Sequence, residues 1–580
     1  MTEVVECQKL SQTESLRLPE RAFWWLFMIV LILAFLQPFH GGGYPGFLEN
    51  YVLAAWVIFL FGLLVMLRGE FFIGSGLWVW LLFGVMLLVG FFTQSVPFMG
   101  PINQYFACWL VGFAVMQHAA RFSLQDAWSE RSLAIALVIL GLLSAVFGIV
   151  RFYGLVGWFS YLLPEPASGR MNGLQGQSNF FAVLCFLGCI GSVWLRRLNC
   201  FSYPALMLVL LPMFYGIALS GTRVVYLAFF SWIFILFLMK GYKDTLILVG
   251  VMGVLYCLLR PLFLSLNIDL TEICVRAGLM PWGGINADLF SRGAESLRWV
   301  EWPVAWKIMK SAWPLGVGAG GYPAHSYFMN FELGNIPING IWLHSHNSYL
   351  QLIIEFGLVG AIFLLCSAFL VLKIIYKFIN EGRGLYLGSL ATLLVYSFFE
   401  FPFWSLHFFV LFIWVVFAGC NWRSIKIKNL YGIILIPISF FIFIHYVSLY
   451  TYVFKASMSY LWPNEPVDFS YANTMIRDPI LEHYGYQQYL ESPTYSKESL
   501  AKDLELSRKY YNFIPYSSIV SRYIISLAAS GDRGLATSLV RKLSVNDPLY
   551  RKEFINDVNS ASEKVPSWDI KWLIDEWRIR

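Results

Sequence analysis

The stretch that decides the fold is Trp342-Leu-His-Ser-His-Asn-Ser-Tyr-Leu-Gln-Leu-Ile-Ile-Glu-Phe-Gly-Leu-Val-Gly360, in which a polar loop ends and an apolar helix begins. Asn347 or Ser348 is placed to cap that helix, because either side chain can accept hydrogen bonds from the unpaired backbone N–H groups of the first turn. His346 then lies at the positive end of the helix dipole, where bound anions and a neutral imidazole are favoured. The pattern fits two roles for His346, a general base beside a bound phosphate or a polar residue that only caps the helix.

The composition places this stretch in a membrane protein. Of the 580 residues, 58% are hydrophobic, 18% are aromatic and only 13% are charged, whereas about a quarter of a soluble protein is charged. The formal net charge of +6 is small for the length, and the basic residues are scattered through short loops, so no nucleic-acid partner is indicated. Most of the nine cysteines fall within apolar runs, so the sequence predicts neither a disulfide framework nor a zinc site from them.

Apolar runs of about 20 residues, the length that crosses a roughly 30 Å hydrocarbon core, recur from residue 22 to about residue 450. They predict an all-α polytopic membrane protein with about thirteen transmembrane helices, of which the fourth, eighth and twelfth are short. The predicted spans are 22–38, 47–67, 71–92, 104–118, 133–153, 179–195, 204–219, 224–239, 245–265, 348–372, 385–401, 404–419 and 430–450.

Lys and Arg are concentrated in alternate loops, which marks those loops as cytoplasmic. One set carries basic pairs such as Arg196-Arg197, whereas the loops 39–46 and 93–103 of the other set have no Lys or Arg. The N-terminus is therefore predicted to lie inside and the chain after Tyr450 outside, which is the periplasm in a Gram-negative cell. The predicted domains are a cytoplasmic N-terminus at 1–21, a transmembrane domain at 22–455 with a periplasmic loop at about 266–347, and a C-terminal periplasmic helical domain at 456–580.

Two regions outside the spans have recognisable patterns. In the segment 296–306, Trp302 and Trp306 repeat at helical spacing, which suggests a helix lying at the membrane interface. Gly316-Val-Gly-Ala-Gly-Gly321 is interpreted as a flexible stretch. A nucleotide-binding loop is not indicated, because it would need a preceding strand and a closing Gly-Lys-Ser/Thr. The segment Tyr523–Leu543 predicts two helices joined by a Gly-Asp turn, similar to a single tetratricopeptide pair.

Several polar groups fall on the same predicted side of the membrane as His346. Gly169-Arg-Met-Asn-Gly-Leu-Gln-Gly-Gln-Ser-Asn179 precedes the sixth span, and its last three residues either cap that helix toward an anion or sugar or form an ordinary turn. Arg223 begins the eighth span at a membrane edge, where it either binds pyrophosphate or extends to lipid phosphates. Arg298, in the segment 296–306, is the second candidate, and two arginines suit a pyrophosphate because each donates through a fork. Glu400 breaks the helical pattern between the eleventh and twelfth spans.

Two further interpretations concern the entrance of the tenth span. His344 and His346, together with His325 or Glu355, are candidate metal ligands, although no third ligand stands at a convincing spacing. Glu355 lies about two turns into the span, where a charge is costly without a partner. It either pairs with an arginine or is protonated and structural.

The order and spacing of these motifs resemble a known superfamily. His346-Asn347, nine intervening residues and Gly357-Leu-Val-Gly360 resemble the pattern of the O-antigen ligase superfamily, whose members are bacterial inner-membrane proteins that transfer glycans from a polyprenyl-pyrophosphate carrier. Arg223-Val-Val-Tyr-Leu227 is similar to the superfamily's Arg-x-x-x-Leu motif.

Two other segments resemble the PglL-type protein O-oligosaccharyltransferases within that superfamily. Gly169–Asn179 is similar to their Gly-Arg…Gly-Gln-Pro-Asn segment, with Ser178 where proline is usual. Glu400-Phe-Pro-Phe-Trp404 is similar to their Glu-Tyr-Pro-Leu-Trp segment, with Phe401 in place of the tyrosine. Any role of that tyrosine hydroxyl in relatives is therefore not transferred to this chain.

The resemblance implies a PglL-type enzyme of the O-antigen ligase and polymerase (WaaL/Wzy) superfamily, with a GT-C-like helical architecture among inner-membrane lipids and residues 22–455 as its ligase domain. Its donor would be an undecaprenyl-pyrophosphate-linked glycan, and its acceptor a Ser or Thr hydroxyl of a periplasmic or pilin-like protein, with no metal or cofactor. His346 would accept the acceptor's proton while Arg223 and Arg298 neutralise the departing pyrophosphate. The expected catalytic residues are His346, Arg223, Arg298 and Gln177, and the expected substrate-binding residues are Arg170, Asn179, His344, Asn347 and Glu400.

Other functions remain open. A ligase acting on lipid A-core and an O-antigen polymerase share the donor chemistry, whereas a transporter would show internal repeats with broken helices that the sequence lacks. The roughly 125 residues after the last span favour a protein acceptor, because a lipid acceptor held in the bilayer needs no large soluble platform. Four aromatic and basic residues of that region are predicted to help dock the partner, namely Tyr510, Tyr511, Arg522 and Tyr523.

Overall fold

The computed structural model describes residues 18–37, 47–123, 126–155, 170–279, 298–333, 341–426, 434–445, 447–448, 451, 470–492 and 494–578. Predictions for residues 1–17, for the loop at 39–46, for Gly169 and for residues 456–469 lie outside this part of the chain. The described residues are almost entirely helical, and the predicted all-α polytopic class is confirmed.

The helices of the described chain are numbered here in sequence order. The first eleven are α1 (Leu18–Leu36), α2 (Phe47–Arg68), α3 (Ser75–Phe92), α4 (Gly100–Ser123), α5 (Asp126–Phe152), α6 (Ser178–Arg197), α7 (Tyr203–Ser220), α8 (Val224–Leu238), α9 (Lys243–Arg276), α10 (Arg298–Ala312) and α11 (Tyr322–Glu332). The others are α12 (Ser348–Glu381), α13 (Gly384–Phe399), α14 (Leu406–Ala418), α15 (Ile434–His445), α16 (Ser470–Ile476), α17 (Glu482–Glu491), α18 (Leu500–Tyr511), α19 (Ser517–Ser530), α20 (Arg533–Asn546), α21 (Arg551–Lys564) and α22 (Trp572–Arg578).

Each predicted span overlaps a helix, although residues 38, 430–433, 446 and 449–450 of the first and last spans lie outside the described part of the chain. Among the residues described, six helices are long and apolar enough to cross a membrane, namely α3, α5, α6, α7, α9 and α12. Six shorter apolar helices accompany them, namely α1, α2, α8, α13, α14 and α15. As predicted, α8 and α14 are short, with 15 and 13 residues.

Two predictions about the ends of spans are wrong. The helix at the fourth predicted span, α4, has 24 residues and extends beyond the predicted ends at 104 and 118, although it is not among the candidate membrane spans of the described residues. Residues 71–74 belong to a strand, β1 (Glu70–Gly74), which pairs antiparallel with β2 (Trp422–Lys426). Polar side chains near the end of α4 hold β1 in place. Gln117 exchanges hydrogen bonds with the backbone N–H and C=O of Phe72 at 2.8 and 3.0 Å, and Arg121 pairs with Glu70 at 2.9 Å.

The chain divides into two compact units. The first unit comprises residues 1–80, 108–293 and 367–462, and the second unit comprises residues 81–107, 294–366 and 463–580. Each unit contains part of the predicted site.

In the first unit, α6 is buried over almost its whole length. It approaches α5 closely at Gly188, where a Cβ added to Gly141 would lie 2.7 Å from the Gly188 Cα. Small residues allow such contacts between apolar helices, for which van der Waals packing supplies much of the stability. This packing fixes the N-terminal end of α6, where the predicted donor-binding segment ends at Asn179.

In the second unit, the C-terminal helices share a core with α11. Tyr327 of α11 is buried in the same apolar cluster as Tyr523 and Phe554. The Asn330 side-chain amide donates to the Asn546 side-chain carbonyl at 2.9 Å, and the Asn546 amide donates to the Tyr327 carbonyl at 3.2 Å. These buried bonds attach the last turn of α11 to the end of α20.

The helix pair predicted at Tyr523–Leu543 is confirmed. α19 ends at Ser530 and is followed by Gly531, whose φ of +92° is a left-handed conformation that glycine adopts without steric cost. Asp532 then caps α20, because its side chain accepts a hydrogen bond from the Leu535 N–H at 3.0 Å.

The four residues predicted to dock a partner are in the interior instead. Tyr510, Tyr511 and Tyr523 are buried, because they lie on the inward faces of α18 and α19. Arg522 is 2% exposed, pairs with Asp503 at 2.9 Å and donates to backbone carbonyls. These side chains stabilise the C-terminal helices, so the predicted docking surface is wrong.

Helix α12 is kinked at Gly357, the first glycine of the Gly-x-x-Gly motif. Gly357 has φ 57° and ψ −133°, a region that is essentially restricted to glycine. The kink frees backbone groups that an uninterrupted helix would use internally. One of them, the Leu358 N–H, donates to the Pro314 carbonyl at 2.8 Å.

The Gly316–Gly321 stretch packs along this kink and is held there by its main chain. Val317 N–H donates to the Ile354 carbonyl at 2.8 Å. Gly316, Gly318 and Gly320 all have positive φ, at 82°, 82° and 73°. The stretch was predicted to be flexible, but its glycines instead allow a fixed turn against α12.

We expect Gly357→Ala to destabilise the protein, because the added Cβ would lie 2.0 Å from the Pro314 carbonyl oxygen and the backbone would be strained by about 1–3 kcal/mol. The measurement is the Tm of the purified protein in detergent. Gly250→Ala is the control, since nothing lies within 4 Å of a Cβ at that position in α9, and its Tm should be unchanged or slightly higher. Equal Tm values for the two variants would contradict this account of the kink.

Candidate active site

His346 lies in the turn that enters α12, and its backbone is left-handed, with φ 47°. Few residues other than glycine adopt that region, and those that do are enriched at functional sites. Asn347 caps the helix, because its Oδ1 accepts from the backbone N–H groups of Tyr349 and Leu350, each at 3.0 Å. Of the two caps that the sequence allowed, the structure contains this one. The His346 side chain remains 30% exposed at the start of the helix.

Two side chains flank the His346 ring. The His344 ring stands edge-on to it with 4.3 Å between centroids, and its Nδ1 accepts from the His346 backbone N–H at 3.4 Å. Glu301 of α10 is 0% exposed and places its Oε2 3.8 Å from the Nε2 of His346. Tyr322 of α11 donates to the other oxygen of Glu301 at 3.3 Å. The starts of α10, α11 and α12 therefore meet at His346.

Burial and nearby charge determine the protonation of this cluster. Burial, then His346, then the charge of Arg298 hold the pKa of His344 well below its usual value, so His344 is neutral and its Nδ1 can accept a hydrogen bond. Burial and the charge of Glu301 raise the pKa of Tyr322 well above its usual value, so Tyr322 keeps the proton that it donates. The charge of Arg298, the first residue of α10, therefore acts on His344.

The histidine loop is anchored at Ser345. Its N–H donates to Gln351 Oε1 at 2.8 Å, and its carbonyl accepts from Trp302 Nε1 at 3.1 Å. The helix predicted around Trp302 is confirmed, and this tryptophan holds the loop. Gln351 also donates to Glu355 at 2.8 Å, and Tyr105 donates to the other Glu355 oxygen at 2.6 Å. Within the described chain Glu355 is thus bonded to neutral side chains, and the alternative that it pairs with an arginine is wrong.

A second polar cluster, in the first unit, is built around Glu400. Glu400 follows α13 and is 1% exposed. One of its oxygens accepts from Asn179 Nδ2 at 2.5 Å and the other from Gln177 Nε2 at 3.4 Å. Gln177 occupies the N-cap position of α6, but its side chain makes no capping bond there. Its predicted capping role is therefore wrong, because Glu400 orients its amide instead.

Arg170 and Thr222 belong to the same cluster. Arg170 donates to Thr222 Oγ1 at 3.2 Å and to Asn179 Oδ1 at 3.5 Å, and its Nε donates to the Ser220 carbonyl. Thr222 Oγ1 also donates to Asn179 Oδ1 at 3.0 Å. Arg223, the next residue, is exposed at the N-cap position of α8, where it was predicted to begin the helix.

The predicted site residues thus form two groups. Side chains arranged to hold a metal would need at least three ligands, and no such group of His, Cys, Asp and Glu occurs in the described ranges. His325, one candidate ligand, is exposed and bonds through Nδ1 to the Gly321 carbonyl at 2.9 Å. The second unit holds His344, His346, Asn347 and Arg298, and the first unit holds Gln177, Asn179, Arg170, Glu400 and Arg223.

Sequence analysis missed two members of these groups, Glu301 and Thr222. A carboxylate in a helix predicted to lie at the membrane interface is usually a solvated residue, so the sequence alone did not identify Glu301 as a site residue. The available signal is its position three and four residues before Val304 and Ala305, which are buried in the apolar cluster of this helix. A carboxylate on the apolar face of an amphipathic helix is unusual and points to a specific partner.

Two regions of the chain match known protein families. Residues 208–365 match the family described as O-antigen ligase. Residues 385–560 match the family described as virulence factor membrane-bound polymerase, C-terminal. No curated protein sequence matches this chain. The two matches together support the O-antigen ligase and polymerase superfamily, and they do not distinguish its PglL-type members.

We expect Glu400→Gln to lower the Tm of the purified protein. A glutamine can accept from only one of the two amide donors, and a buried donor left without an acceptor costs about 1–3 kcal/mol. Adding Gln177→Ala should remove part of that cost, so the double variant should be less destabilised than the sum of the single variants. Glu272→Gln, at an exposed position of α9, is the control. Simple additivity would show that the Gln177 bond is not part of the cluster.

Proposed function

From the two family matches, which support a membrane glycosyl-transfer enzyme, we propose that this protein transfers a glycan from undecaprenyl pyrophosphate to Ser or Thr hydroxyls of periplasmic or pilin-like proteins. The proposal adds two elements to the family assignment, a mechanism that needs no metal and a protein as the acceptor.

The observation that carries the mechanism is the setting of His346. It is partly exposed at a helix start, flanked by a neutral His344 and near Arg298. An imidazole in that position is able to take a proton from an acceptor hydroxyl, and the helix dipole favours an anion beside it.

The reaction replaces one bond to the anomeric carbon with another and transfers one proton. The acceptor oxygen attacks the anomeric carbon of the glycan, and the bond from that carbon to the pyrophosphate oxygen breaks. The hydroxyl proton passes to His346, and the electron pair leaves with undecaprenyl pyrophosphate. Arg298 and Arg223 supply fixed positive charge for the departing group, because a guanidinium keeps its charge at any physiological pH.

The cluster around Glu400 is proposed to bind the donor. Arg170 supplies positive charge there, while Gln177 and Asn179 supply amide groups suited to sugar hydroxyls. Glu400 is 1% exposed, so it acts by orienting those two amides. Asn347 and His344 are proposed to be the remaining substrate-binding residues, because they set the geometry of the His346 loop.

The proposed location is the bacterial inner membrane, with the reaction on the periplasmic face. The support is the concentration of Lys and Arg in the alternate loops that would face the cytoplasm. The domain boundaries at residues 21 and 455 follow from the same reasoning and are proposed with it.

The proposed protein acceptor rests on the C-terminal helices α16–α22. Their aromatic and aliphatic residues form an apolar core that also includes Tyr327 of α11, which is more structure than a lipid acceptor held in the bilayer requires. Two alternatives share the donor chemistry, a ligase acting on lipid A-core and an O-antigen polymerase. The match of residues 385–560 to a polymerase family favours the second of these.

We expect His346→Ala, Arg223→Ala and Arg298→Ala each to insert and fold normally but to lose about 10²- to 10⁴-fold in transfer rate, because each removes a base or a charge donor for the transition state. Transfer by purified protein from a lipid-linked glycan is the measurement, with Tm as the control for folding. Activity should persist in EDTA. Loss of activity in EDTA and its return with zinc or magnesium would contradict the metal-free scheme.

The acceptor class is tested by deleting the gene and examining both products in the same cells. We expect glycan to disappear from a pilin-like protein while O-antigen on lipopolysaccharide stays unchanged, and we expect the wild-type gene but not His346→Ala to restore it. Loss of lipopolysaccharide O-antigen with intact protein glycan would assign the lipid ligase function. Loss of long O-antigen chains alone would assign the polymerase function.

A further inference from the structure

Glu301 is a buried carboxylate that the proposed mechanism does not yet use. It lies in the first turn of α10, is 0% exposed, and places one oxygen 3.8 Å from His346 Nε2. Its other oxygen accepts from Tyr322 at 3.3 Å. Burying a carboxylate among apolar residues such as Val304 is costly unless polar partners surround it. Glu301 cannot touch an acceptor because it is enclosed, whereas His346 can.

Resting on the proposed function, we propose that Glu301 is a positioning residue for His346, holding the Nε2–H side of the imidazole so that Nδ1 receives the acceptor's proton. The separation of 3.8 Å is longer than a hydrogen bond. Such contacts are often long in the absence of substrate and shorten when the reacting groups are in place. The bond therefore closes as the imidazole becomes positively charged.

The proton balance of this step is complete. The acceptor hydroxyl loses its proton to Nδ1 as its oxygen bonds to the anomeric carbon, and His346 becomes an imidazolium with a proton on each nitrogen. Glu301 stays ionised and offsets the new positive charge. After the pyrophosphate leaves, the imidazolium returns its proton to water or to the product phosphate, which regenerates the neutral base.

The surrounding charges show why such a carboxylate is needed. Arg298, on the same helix, opposes a positive charge on His344 and contributes to keeping that residue neutral. Tyr322 of α11 donates to Glu301 and remains protonated. From α12, the neutral side chain of Gln351 bonds to the histidine loop and to Glu355, so it brings no charge of its own to the histidines. Among these facing groups, Glu301 is the one that favours an imidazolium.

The test is Glu301→Gln in the full-length purified protein. Glutamine has nearly the same shape and can still accept from Tyr322, but it carries no charge. The assay measures release of undecaprenyl pyrophosphate from a lipid-linked oligosaccharide in the presence of a purified pilin, as a function of pH. We expect kcat to fall about 10²- to 10⁴-fold with little change in the KM for the donor.

The pH profile separates positioning from mere structure. The neutral base is required, so activity falls at low pH where the imidazole is already protonated. Without the carboxylate the imidazole protonates only at lower pH. The fall of activity on the acidic side of the pH profile, its acidic limb, should therefore move to lower pH, while the maximal activity falls. Tyr322→Phe keeps the carboxylate and should keep the limb in place, with a loss of less than about tenfold. Glu332→Gln, an exposed carboxylate on α11, should behave as wild type.

Three results would overturn the inference: a wild-type rate for Glu301→Gln, a lowered rate with an unmoved acidic limb, or a loss fully explained by a lowered Tm that Tyr322→Phe reproduces. His346→Ala in the same assay keeps this separate from the proposed function. If His346→Ala is inactive while Glu301→Gln is active, only the role of Glu301 fails. If His346→Ala is active, the base itself is wrong, and the proposed mechanism fails with it.

Discussion

The candidate active site depends on main-chain hydrogen bonds between the Gly316–Gly321 stretch and the kink in α12. Val317 N–H donates to the Ile354 carbonyl at 2.8 Å, a bond that an uninterrupted helix would not allow, because it would use that carbonyl internally. Gly357 makes the interruption possible. Since the stretch directly follows α10, these bonds fix α10 against the start of α12 and so determine where Glu301 meets the histidine loop.

Buried carboxylates organise both polar clusters. Glu400 accepts from the amides of Gln177 and Asn179, and Glu301 accepts from Tyr322. A carboxylate enclosed in this way is expensive to bury, and its effect on a ligand passes through the side chains that it orients. Sequence motifs draw attention to the histidine and the arginines, whereas the structure adds the anions that hold their neighbours in place.

Features encoded by neighbouring residues were predictable from the sequence. The helices, the Asn347 cap and the Gly531 turn follow from local rules about apolar length, capping oxygens and left-handed glycine. The pairing of β1 with β2 and the contact of Glu301 with His346 join residues far apart in the chain, which no local pattern encodes. The helix entrance was therefore predicted well, and its acidic partner was not.

The burial of Tyr510 was predictable from the helical periodicity of its apolar neighbours. Leu506, Tyr510 and Phe513 repeat at helical spacing, and all three lie in one apolar cluster with Phe98. The composition of this region suggested a protein-binding surface, because tyrosine is common in interfaces. Periodicity is the stronger indicator, since it tells which face of a helix is covered.

The position of α11 limits how this protein can be recombined with relatives. Its first residue, Tyr322, bonds to Glu301, and its last turn bonds through Asn330 to Asn546 near the end of α20. The C-terminal helices are therefore not an interchangeable attachment. In a chimera that takes those helices from a homologue, α11 of this protein would pack against side chains that differ from its own partners. The chimera would also need α11 and the segment around Phe98 from the same homologue to remain a working enzyme.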